Sequence, residues 1–340
     1  MRKGGELPSV SIVVAAHDEA AVIERRLDNL IRLDYPPELV EIVVASDAST
    51  DRTDDVVEEI ARHEPRVRLL RCERGGKVAA QDRAVRETSG EIVAFSDANA
   101  TWAAPALRKL VRNFADPAIG YVCGQLRLES ADGSNREGTY WRYELRLREA
   151  ESALGSVTGG NGAIYAVRRS DYVEVDPRFG HDLALPYLMV QRGRRAVYEP
   201  EAIAFEKPTP EIETEYRRKV RMFEHCWLIT LRGRMLRGLD LLYLGQIVSH
   251  RVLRYGSGLL HLALLGSSAA LAARGNVYRT ALAGQLAFLG LAYAGRRRAH
   301  IPGAALAWYY TLVTAATVVA LANYLREGVP ATWEQPEGTR

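Results

Sequence analysis

The chain has 340 residues, 47% of them apolar and 26% charged, an ordinary composition for a folded α/β domain with a smaller appendage. Its net charge is +3, but the charges are unevenly distributed along the chain. Residues 1–216 are acidic, with 29 Lys and Arg against 37 Asp and Glu, and the remaining residues, the tail, are basic, with 16 against 5. Long uncharged stretches separate the arginines of that tail, which argues against nucleic acid as a partner and favours an anionic membrane surface.

The first hundred residues alternate short β-branched runs with stretches of helical periodicity. Strands are predicted over residues 10–16, 41–45, 67–71 and 91–96, and helices over residues 19–33, 51–63 and 77–88. This alternation indicates βαβ units and a parallel sheet, in which ligands bind at the carboxyl ends of the strands. We therefore expect the residues at those ends to decide the function.

Residues 101–200 mix both kinds of element. Helices are predicted over residues 105–114, 139–154 and 183–192, and strands over residues 120–129, 163–167 and 196–198. The front domain is therefore predicted to extend to residue 216, with helices on both faces of its sheet.

The tail changes character after residue 216. Residues 217–254 interleave nine Lys and Arg with apolar residues, a pattern typical of amphipathic helices that lie in a membrane interface. Uncharged apolar stretches follow at residues 255–273, 280–295 and 302–325. A spanning helix needs about 20 apolar residues, so we expect two or three transmembrane helices and a C-terminal tail, residues 326–340. A helical hairpin buried within protein is the alternative.

The expected location is the inner (cytoplasmic) membrane, with a multi-pass tail and the front domain in the cytoplasm. The first eight residues are polar and hold no apolar core of a signal peptide. Cys72, Cys123 and Cys226 lie far apart, as expected for a reducing compartment. The cluster of residues 296–298, three arginines, then falls on the cytoplasmic side, as the positive-inside rule prefers.

The run F-S-D-A-N-A ends the fourth predicted strand. Asp97 and Asn99 offer oxygen ligands there, which suit a hard divalent cation such as Mg²⁺ or Mn²⁺. A nucleotide diphosphate would complete the coordination, and the cation would neutralise the charge of the leaving diphosphate. A simple Asp-Ala-Asn turn at a strand end is the alternative.

Two further strand ends carry acidic residues. Asp47, in A-S-D-A-S-T-D, ends the second strand, where it can accept a hydrogen bond from a nucleotide base, while residues 49–51 are explained by a turn and a helix cap. Glu19, in A-A-H-D-E, is placed to meet a ribose hydroxyl, and Asp18 beside it is a candidate cap of the first helix. In R-G-G-K, two glycines allow close backbone approach and Lys77 adds a cation for phosphate.

Asp182 lies in F-G-H-D-L-A-L-P, before an apolar helix. Sugar transfer needs a base that takes the proton of an acceptor hydroxyl, and a carboxylate within hydrogen-bond reach can do this. An N-cap of the helix over residues 183–192 is an equally good reading of this segment alone.

Six motifs in this order resemble the family 2 glycosyltransferases, and most closely their membrane-bound branch of hyaluronan-, chitin- and cellulose-synthase-like enzymes. They are V-V-A-A-H-D-E, S-D-A-S-T-D, R-G-G-K, S-D-A-N, T-G-G-N-G-A-I-Y-A and H-D-L-A-L-P. The resemblance runs from about residue 8 to residue 227. It implies a GT-A fold and an inverting transfer from a nucleotide diphosphate sugar, UDP-linked by analogy, to a hydroxyl of a lipid-linked or polysaccharide acceptor.

The resemblance also implies roles on the donor side. By position, Ala15, Glu19 and Asp47 match residues that hold the nucleotide base and ribose, and Lys77 matches a position near the diphosphate.

Other positions match the reacting centre and the acceptor side. Asp97 and Asn99 match the metal motif and Asp182 the catalytic base, while Gly160 and Asn161 match a loop beside the acceptor.

The sequence departs from the family pattern at three places. Asn99 replaces the second Asp of the metal motif, and His181 replaces the acid that usually precedes the base. Arg218 and Arg221 share one helix face where processive members carry Q-x-x-R-W, and they are candidates to bind the diphosphate or the acceptor. The box here reads R-K-V-R-M, so Trp227 is either a substitute acceptor platform or an interfacial anchor.

These departures leave an alternative function open, a nucleotide-sugar-binding membrane subunit of a polysaccharide assembly complex without turnover of its own. Three spans are few for a polysaccharide channel in one chain. Secretion of a polymer would therefore require an oligomer or an export partner.

Overall fold

The structure, a computed structural model, describes residues 7–128, 139–207 and 212–331. Residue 129 of a predicted strand and residues 332–340 of the predicted tail lie outside these ranges. The chain divides into two compact units, of which the first comprises residues 1–210, 232–246 and 330–340 and the second residues 211–231 and 247–329.

Four parallel strands form the first half of the sheet in the first unit. They are β1 (Val10–Ala16), β2 (Val40–Asp47), β3 (Val67–Cys72) and β4 (Ile92–Asp97), in the order β3-β2-β1-β4. The connecting helices are α1 (Ile23–Ile31), α2 (Thr53–Ala61) and α3 (Lys77–Arg86). The βαβ units predicted from the alternating pattern are therefore confirmed.

The second half of the sheet is mixed. Its strands are β5 (Thr101–Trp102), β6 (Ile119–Leu128), β7 (Tyr165–Arg168) and β8 (Arg195–Glu206), and they continue the sheet as β4-β7-β6-β8-β5. Strand β7 is antiparallel to both of its neighbours, and β6 is parallel to β8. The helices of this part are α4 (Ala106–Val111), α5 (Thr139–Leu154) and α6 (His181–Gln191).

Strand β8 is much longer than the predicted residues 196–198. The predicted end was wrong because Pro200 and its acidic neighbours resemble a loop. The strand continues past Pro200 by means of a register shift opposite Gly124 and Gln125, and its far end pairs with β5. A proline is tolerated at such an irregularity, where no ladder hydrogen bond is lost.

Both faces of the sheet are buried, which explains the nearly continuous apolar runs of its central strands. Along β1, Ile12 and Val14 point into one apolar cluster and Val13 into the other. Helices cover both clusters, and this layered frame leaves the ends of the strands as the place for a polar site.

The remaining helices are α7 (Ile212–Arg232), α8 (Leu241–Ile247), α9 (Leu253–Tyr255), α10 (Ser257–Leu271), α11 (Asn276–Arg296) and α12 (Ala304–Glu327). Within the first unit, residues 232–246 pack on the sheet domain, since the Tyr187 hydroxyl donates to the Gly233 carbonyl and the Tyr243 hydroxyl to the Val157 carbonyl, both at 2.9 Å. The second unit contains α7 up to residue 231 and α9 to α12.

Within the described ranges, α12 is long and apolar enough to cross a membrane. Leu241–Tyr255 and Ser257–Arg274 pass the same test only as one span bent by 64°. Helix α11 does not qualify, because Arg279 and Gln285 interrupt its apolar residues. The expected multi-pass arrangement is therefore not supported.

Candidate active site

The carboxyl ends of β1, β2 and β4 bring three of the predicted residues to one edge of the sheet. Strands β2 and β3 lie on one side of β1 and β4 lies on the other, so the strand order reverses between β1 and β4. Ala15 and Asp97 are register partners at this switch point, and Asp47 ends the next strand. Crevices at such points are where open α/β sheets bind ligands.

Lys77 and Asp97 form an ion pair at the centre of this edge. The Lys77 ammonium donates a hydrogen bond to Asp97 Oδ1, and the two side chains are 23% and 29% exposed. Burial alone would lower the pKa of Lys77, but the charges of Asp97, Asp182 and Glu206 raise it. Lys77 is therefore a cation at neutral pH, paired with Asp97 at the end of β4.

Asp182 lies in the first turn of α6. The helix begins at His181 and its N-cap is Gly180, which gives no side-chain cap, so the alternative that Asp182 is the N-cap is wrong. Burial raises the pKa of Tyr165 well above its usual value, and the charges of Asp182 and Asp97 raise it further. The same two carboxylate charges therefore raise the pKa of both Lys77 and Tyr165.

The loop T-G-G-N-G packs against this centre. The Gly160 N–H donates to the Asp182 carbonyl at 2.7 Å. A Cβ atom at Gly162 would come within 3.0 Å of Lys77 Nζ and 3.2 Å of Asp97 Oδ2. A side chain at position 162 would therefore crowd the ion pair, and glycine allows the loop to approach it closely.

Asn161 fixes the same loop to the sheet. Its side-chain amide donates to the Gly124 carbonyl at 2.7 Å, and its carbonyl oxygen accepts the Ile164 N–H at 3.0 Å. Both polar atoms of the Asn161 side chain therefore hold the loop in place. The contact of Asn161 with an acceptor stays a prediction.

We expect Gly160→Ala to lower the free energy of unfolding by about 1–3 kcal/mol, because overpacking forces neighbours apart. The added Cβ would lie 2.1 Å from the Tyr121 hydroxyl oxygen and 3.1 Å from Cys123 Cβ. Gly155→Ala is the control, since nothing lies within 4 Å of its added Cβ. Urea unfolding measures both variants, and an equal effect of the two would contradict the steric account.

The donor side is built around Asp47, which is 3% exposed. Its carboxylate accepts hydrogen bonds from the Arg74 guanidinium and the Gly75 N–H, both at 2.7 Å, and from the Gly76 N–H at 3.0 Å. Gly76 has a φ of +88°, which favours glycine. Asp47 therefore shapes the R-G-G loop that leads into α3 at Lys77, and its contact with a base stays a prediction.

Asp47→Asn is expected to lower the free energy of unfolding by about 2–3 kcal/mol, since charge-assisted hydrogen bonds to a buried group are lost. Asp55→Asn, at an exposed position of α2, should change it by less than about 0.5 kcal/mol. Chemical denaturation in urea compares the two. Equal stability of both variants would show that Asp47 does not anchor the loop.

The loops after β1 and β2 are joined by Asp18. Its carboxylate accepts the Thr50 N–H at 2.7 Å, and the N-cap of α1 is Val22 without a side-chain cap, so the alternative that Asp18 caps the first helix is wrong. Burial would raise the pKa of Asp18, but the N–H groups of Thr50 and Asp51 lower it. Glu19 is buried beside this junction, and its N–H donates to the Thr53 hydroxyl at 2.8 Å.

Residues 11–175 match the family described as glycosyl transferase family 2, a span that runs from β1 past β7. Residues 11–175 belong to glycosyl transferase family 2. The match contains Asp47, Lys77 and Asp97 and ends before Asp182.

Two curated relatives of the family 2 domain are similar over part of their length. An N-acetylglucosaminyltransferase of a Rhizobium species is 30% identical over 258 residues, which cover 68% of this chain and 56% of the relative. A beta-monoglucosyldiacylglycerol synthase of a Synechocystis species is 34% identical over 167 residues, 46% of this chain and 33% of the relative. The chain thus spans between a third and about a half of these relatives.

One solved structure resembles nearly the whole chain. The mannosyltransferase PcManGT of Pyrobaculum calidifontis, in complex with GDP-Man and Mn²⁺, has a TM-score of 0.76 and 24% identity over 95% of this chain and 88% of that chain. This likeness confirms the predicted GT-A fold.

A buried cation of the family 2 domain, Arg26, was missed from the sequence. It is 1% exposed, it donates to the Ser96 hydroxyl at 2.7 Å, and it lies 4.9 Å from the centre of the Trp102 ring. Burial lowers its pKa to about 9, against the opposing charges of Asp97 and Glu206. Arg26 shares the apolar face of α1 with Ile23 and Leu27, and this position in the sequence could have predicted its burial.

Three predicted residues lie on α7, in the second unit. Burial and the neighbouring Arg218 lower the pKa of Arg221. Trp227 is buried, and its indole N–H donates to the Thr317 carbonyl of α12 at 2.9 Å. Trp227 therefore joins two helices of this unit, and the acceptor roles of all three residues stay predictions.

The oxygen ligands at the end of β4 suit a hard divalent cation. Asp97 presents a partly exposed carboxylate, and Asn99 follows it two residues later. Across the described ranges, no group of three or more His, Cys, Asp or Glu residues forms a metal site. This donor set fits a cation that the protein shares with the oxygens of a bound diphosphate.

Proposed function

We propose that this chain is an inverting glycosyltransferase that moves a sugar from a nucleotide diphosphate sugar to an acceptor hydroxyl. The observation that carries the proposal is that one loop, T-G-G-N-G, lies against both Asp182 and Asp97. The Gly160 N–H donates to the Asp182 carbonyl at 2.7 Å, and a Cβ atom at Gly162 would lie 3.2 Å from Asp97 Oδ2. Membership of residues 11–175 in glycosyl transferase family 2 supports the proposal.

The donor would lie across the ends of β1, β2 and β4. Ala15, Glu19 and Asp47 are the residues proposed to hold the nucleobase and ribose. The diphosphate would meet the N-terminus of α3, where backbone N–H groups and Lys77 favour anions.

Asp97 and Asn99 would hold a Mg²⁺ or Mn²⁺ ion together with the diphosphate. The ion supplies Lewis-acid stabilisation of the leaving diphosphate. The presence of Mn²⁺ in the PcManGT complex supports this assignment.

Asp182 is the proposed general base. Its carboxylate takes the proton of the acceptor hydroxyl while that oxygen forms the new bond to the anomeric carbon. The bond from the anomeric carbon to the diphosphate oxygen breaks on the opposite side, so the configuration inverts and a nucleoside diphosphate leaves. Lys77, charged at neutral pH, compensates the charge on the departing diphosphate.

The acceptor is proposed to be lipid-linked or a growing glycan at the cytoplasmic membrane face. The apolar helix α12 and the glycolipid product in the name of the Synechocystis relative support this choice. Arg218 and Arg221 are proposed to bind the acceptor or the diphosphate.

The test is a release assay with the full chain in detergent. UDP-glucose, UDP-N-acetylglucosamine and GDP-mannose are each supplied with diacylglycerol or an oligosaccharide, with Mn²⁺ or with chelator. We expect one donor to release its nucleoside diphosphate in step with acceptor glycosylation, and chelator to stop it. Calorimetric binding of UDP or GDP without turnover across this panel would instead favour the nucleotide-sugar-binding subunit.

A further inference from the structure

Helix α3 carries a buried carboxylate, Asp82, that the proposed reaction does not use. Asp82 is 5% exposed, and its Oδ1 accepts a hydrogen bond from the Tyr172 hydroxyl and lies 3.6 Å from His181 Nε2. A buried carboxylate is costly unless hydrogen-bond donors surround it. The Tyr172 hydroxyl supplies such a donor, and the His181 imidazole at the start of α6 lies next to the carboxylate.

The imidazole of His181 is fixed on both sides. It is 3% exposed, with Nδ1 at 2.9 Å from the Tyr165 hydroxyl and Nε2 at 3.3 Å from the Tyr172 hydroxyl. The Phe95 ring meets it edge to face at 5.6 Å and stacks on both tyrosines. With both nitrogens bonded and the ring enclosed, the imidazole has one orientation.

His181 is also the first residue of α6 and directly precedes Asp182. The backbone at this point is held twice, by the enclosed His181 ring and by the bond from the Gly160 N–H to the Asp182 carbonyl. The structure gives the Asp182 carboxylate no hydrogen bond of its own to any described residue. Its direction therefore depends on the backbone that His181 holds.

We infer that Asp82, Tyr172 and Tyr165 form, through His181, a positioning group that aims the Asp182 carboxylate at the acceptor hydroxyl. The inference rests on the proposed role of Asp182 as base. Displacing a catalytic group by about 1 Å can cost about 10²-fold in rate, so this group affects turnover and not donor binding.

Tyr172→Phe tests the inference, because it removes the hydroxyl between Asp82 and His181 and keeps the ring on Phe95. We expect kcat to fall by about tenfold or more, with calorimetric nucleotide affinity and donor KM within twofold. Tyr187→Phe is the control, since Tyr187 lies on α6 with His181 and Asp182 and the change removes its hydrogen bond of 2.9 Å to the Gly233 carbonyl. Its kcat should stay within twofold of the native value.

Asp82→Asn keeps the side-chain size and should lower kcat in the same way, so the test does not depend on the folding of one variant. In an Asp182→Asn background, single-turnover rates should show no further loss from Tyr172→Phe, because residues that act through one group are not additive.

Native kcat in both Tyr172→Phe and Asp82→Asn, with stability losses like that of Tyr187→Phe, would overturn the inference. So would a further tenfold loss in the double variant. If the single variant Asp182→Asn had native turnover, the assignment of Asp182 as base would be overturned, and this inference with it. That result is distinct from native turnover of the Tyr172 and Asp82 variants.

Discussion

Replacing Asp182 by Asn is expected to lower the rate of sugar transfer by about 10²–10⁴-fold and to leave nucleotide affinity within about twofold. The amide keeps the size of the carboxylate but does not accept a proton at neutral pH. The affinity for the nucleotide should persist, because the residues proposed to hold the nucleobase and the diphosphate lie on or beside β1, β2 and α3. Asp182, by contrast, belongs to α6.

The measurement is transfer per enzyme under single turnover, beside calorimetric titration with the nucleoside diphosphate. Asp176→Asn is the matched control, because Asp176 lies shortly before α6 and its carboxylate accepts a hydrogen bond from the Arg178 guanidinium at 2.6 Å. Transfer by the control should remain within about twofold. If Asp182→Asn also transferred sugar at close to the native rate, the base would have to be another group.

The strand ends were predictable from the sequence because they follow local patterns. The β-branched run of β1 was bounded correctly, and Lys77 was placed at the start of α3, since each signal lies within a few residues of its element. The acidic residues after such strands then follow from the rule that parallel strands end at one edge.

What the sequence did not yield depends on partners far along the chain. The antiparallel direction of β7 and the length of β8 follow from pairings with distant strands, which no local period encodes. The hydrogen bonds of Asp47 to the R-G-G loop were likewise not predictable, because they join residues 27 to 29 positions apart. The burial of Arg26 follows a local pattern, the apolar face of α1, but its contacts with Ser96 and Trp102 join residues at least 70 positions apart.

Helix α3 contacts both Asp97, the proposed metal ligand, and His181, the residue before the proposed base. Helix α3 begins with Lys77, beside Asp97, and carries Asp82 five residues later, beneath His181. A helix of this length is stiff, and sites built on regular elements hold geometry better than sites on loops. If the proposed roles hold, the same rigid element sets both the place of the donor diphosphate and the direction of the Asp182 carboxylate.

The second large effect is expected at Asp97. Asp97→Asn should lower the transfer rate by about 10²-fold or more, since it removes the one charged oxygen ligand proposed for the cation at the leaving group. It also deprives the Lys77 ammonium of its ion-pair partner. Asp28→Asn, at an exposed site paired with Arg32, is the control and should keep the native rate.

Calorimetry separates the two consequences of that substitution. For the native chain, Mn²⁺ should raise the affinity for the nucleoside diphosphate, and Asp97→Asn should abolish this increase. Asn99→Asp should act in the opposite direction, because a second carboxylate adds charge to the ligand set and should tighten Mn²⁺ binding without nucleotide by about tenfold. If chelator left native turnover intact, Asp97 would act by placing Lys77 alone. Lys77→Gln would then reproduce the full loss of Asp97→Asn, and Asn99→Asp would change nothing.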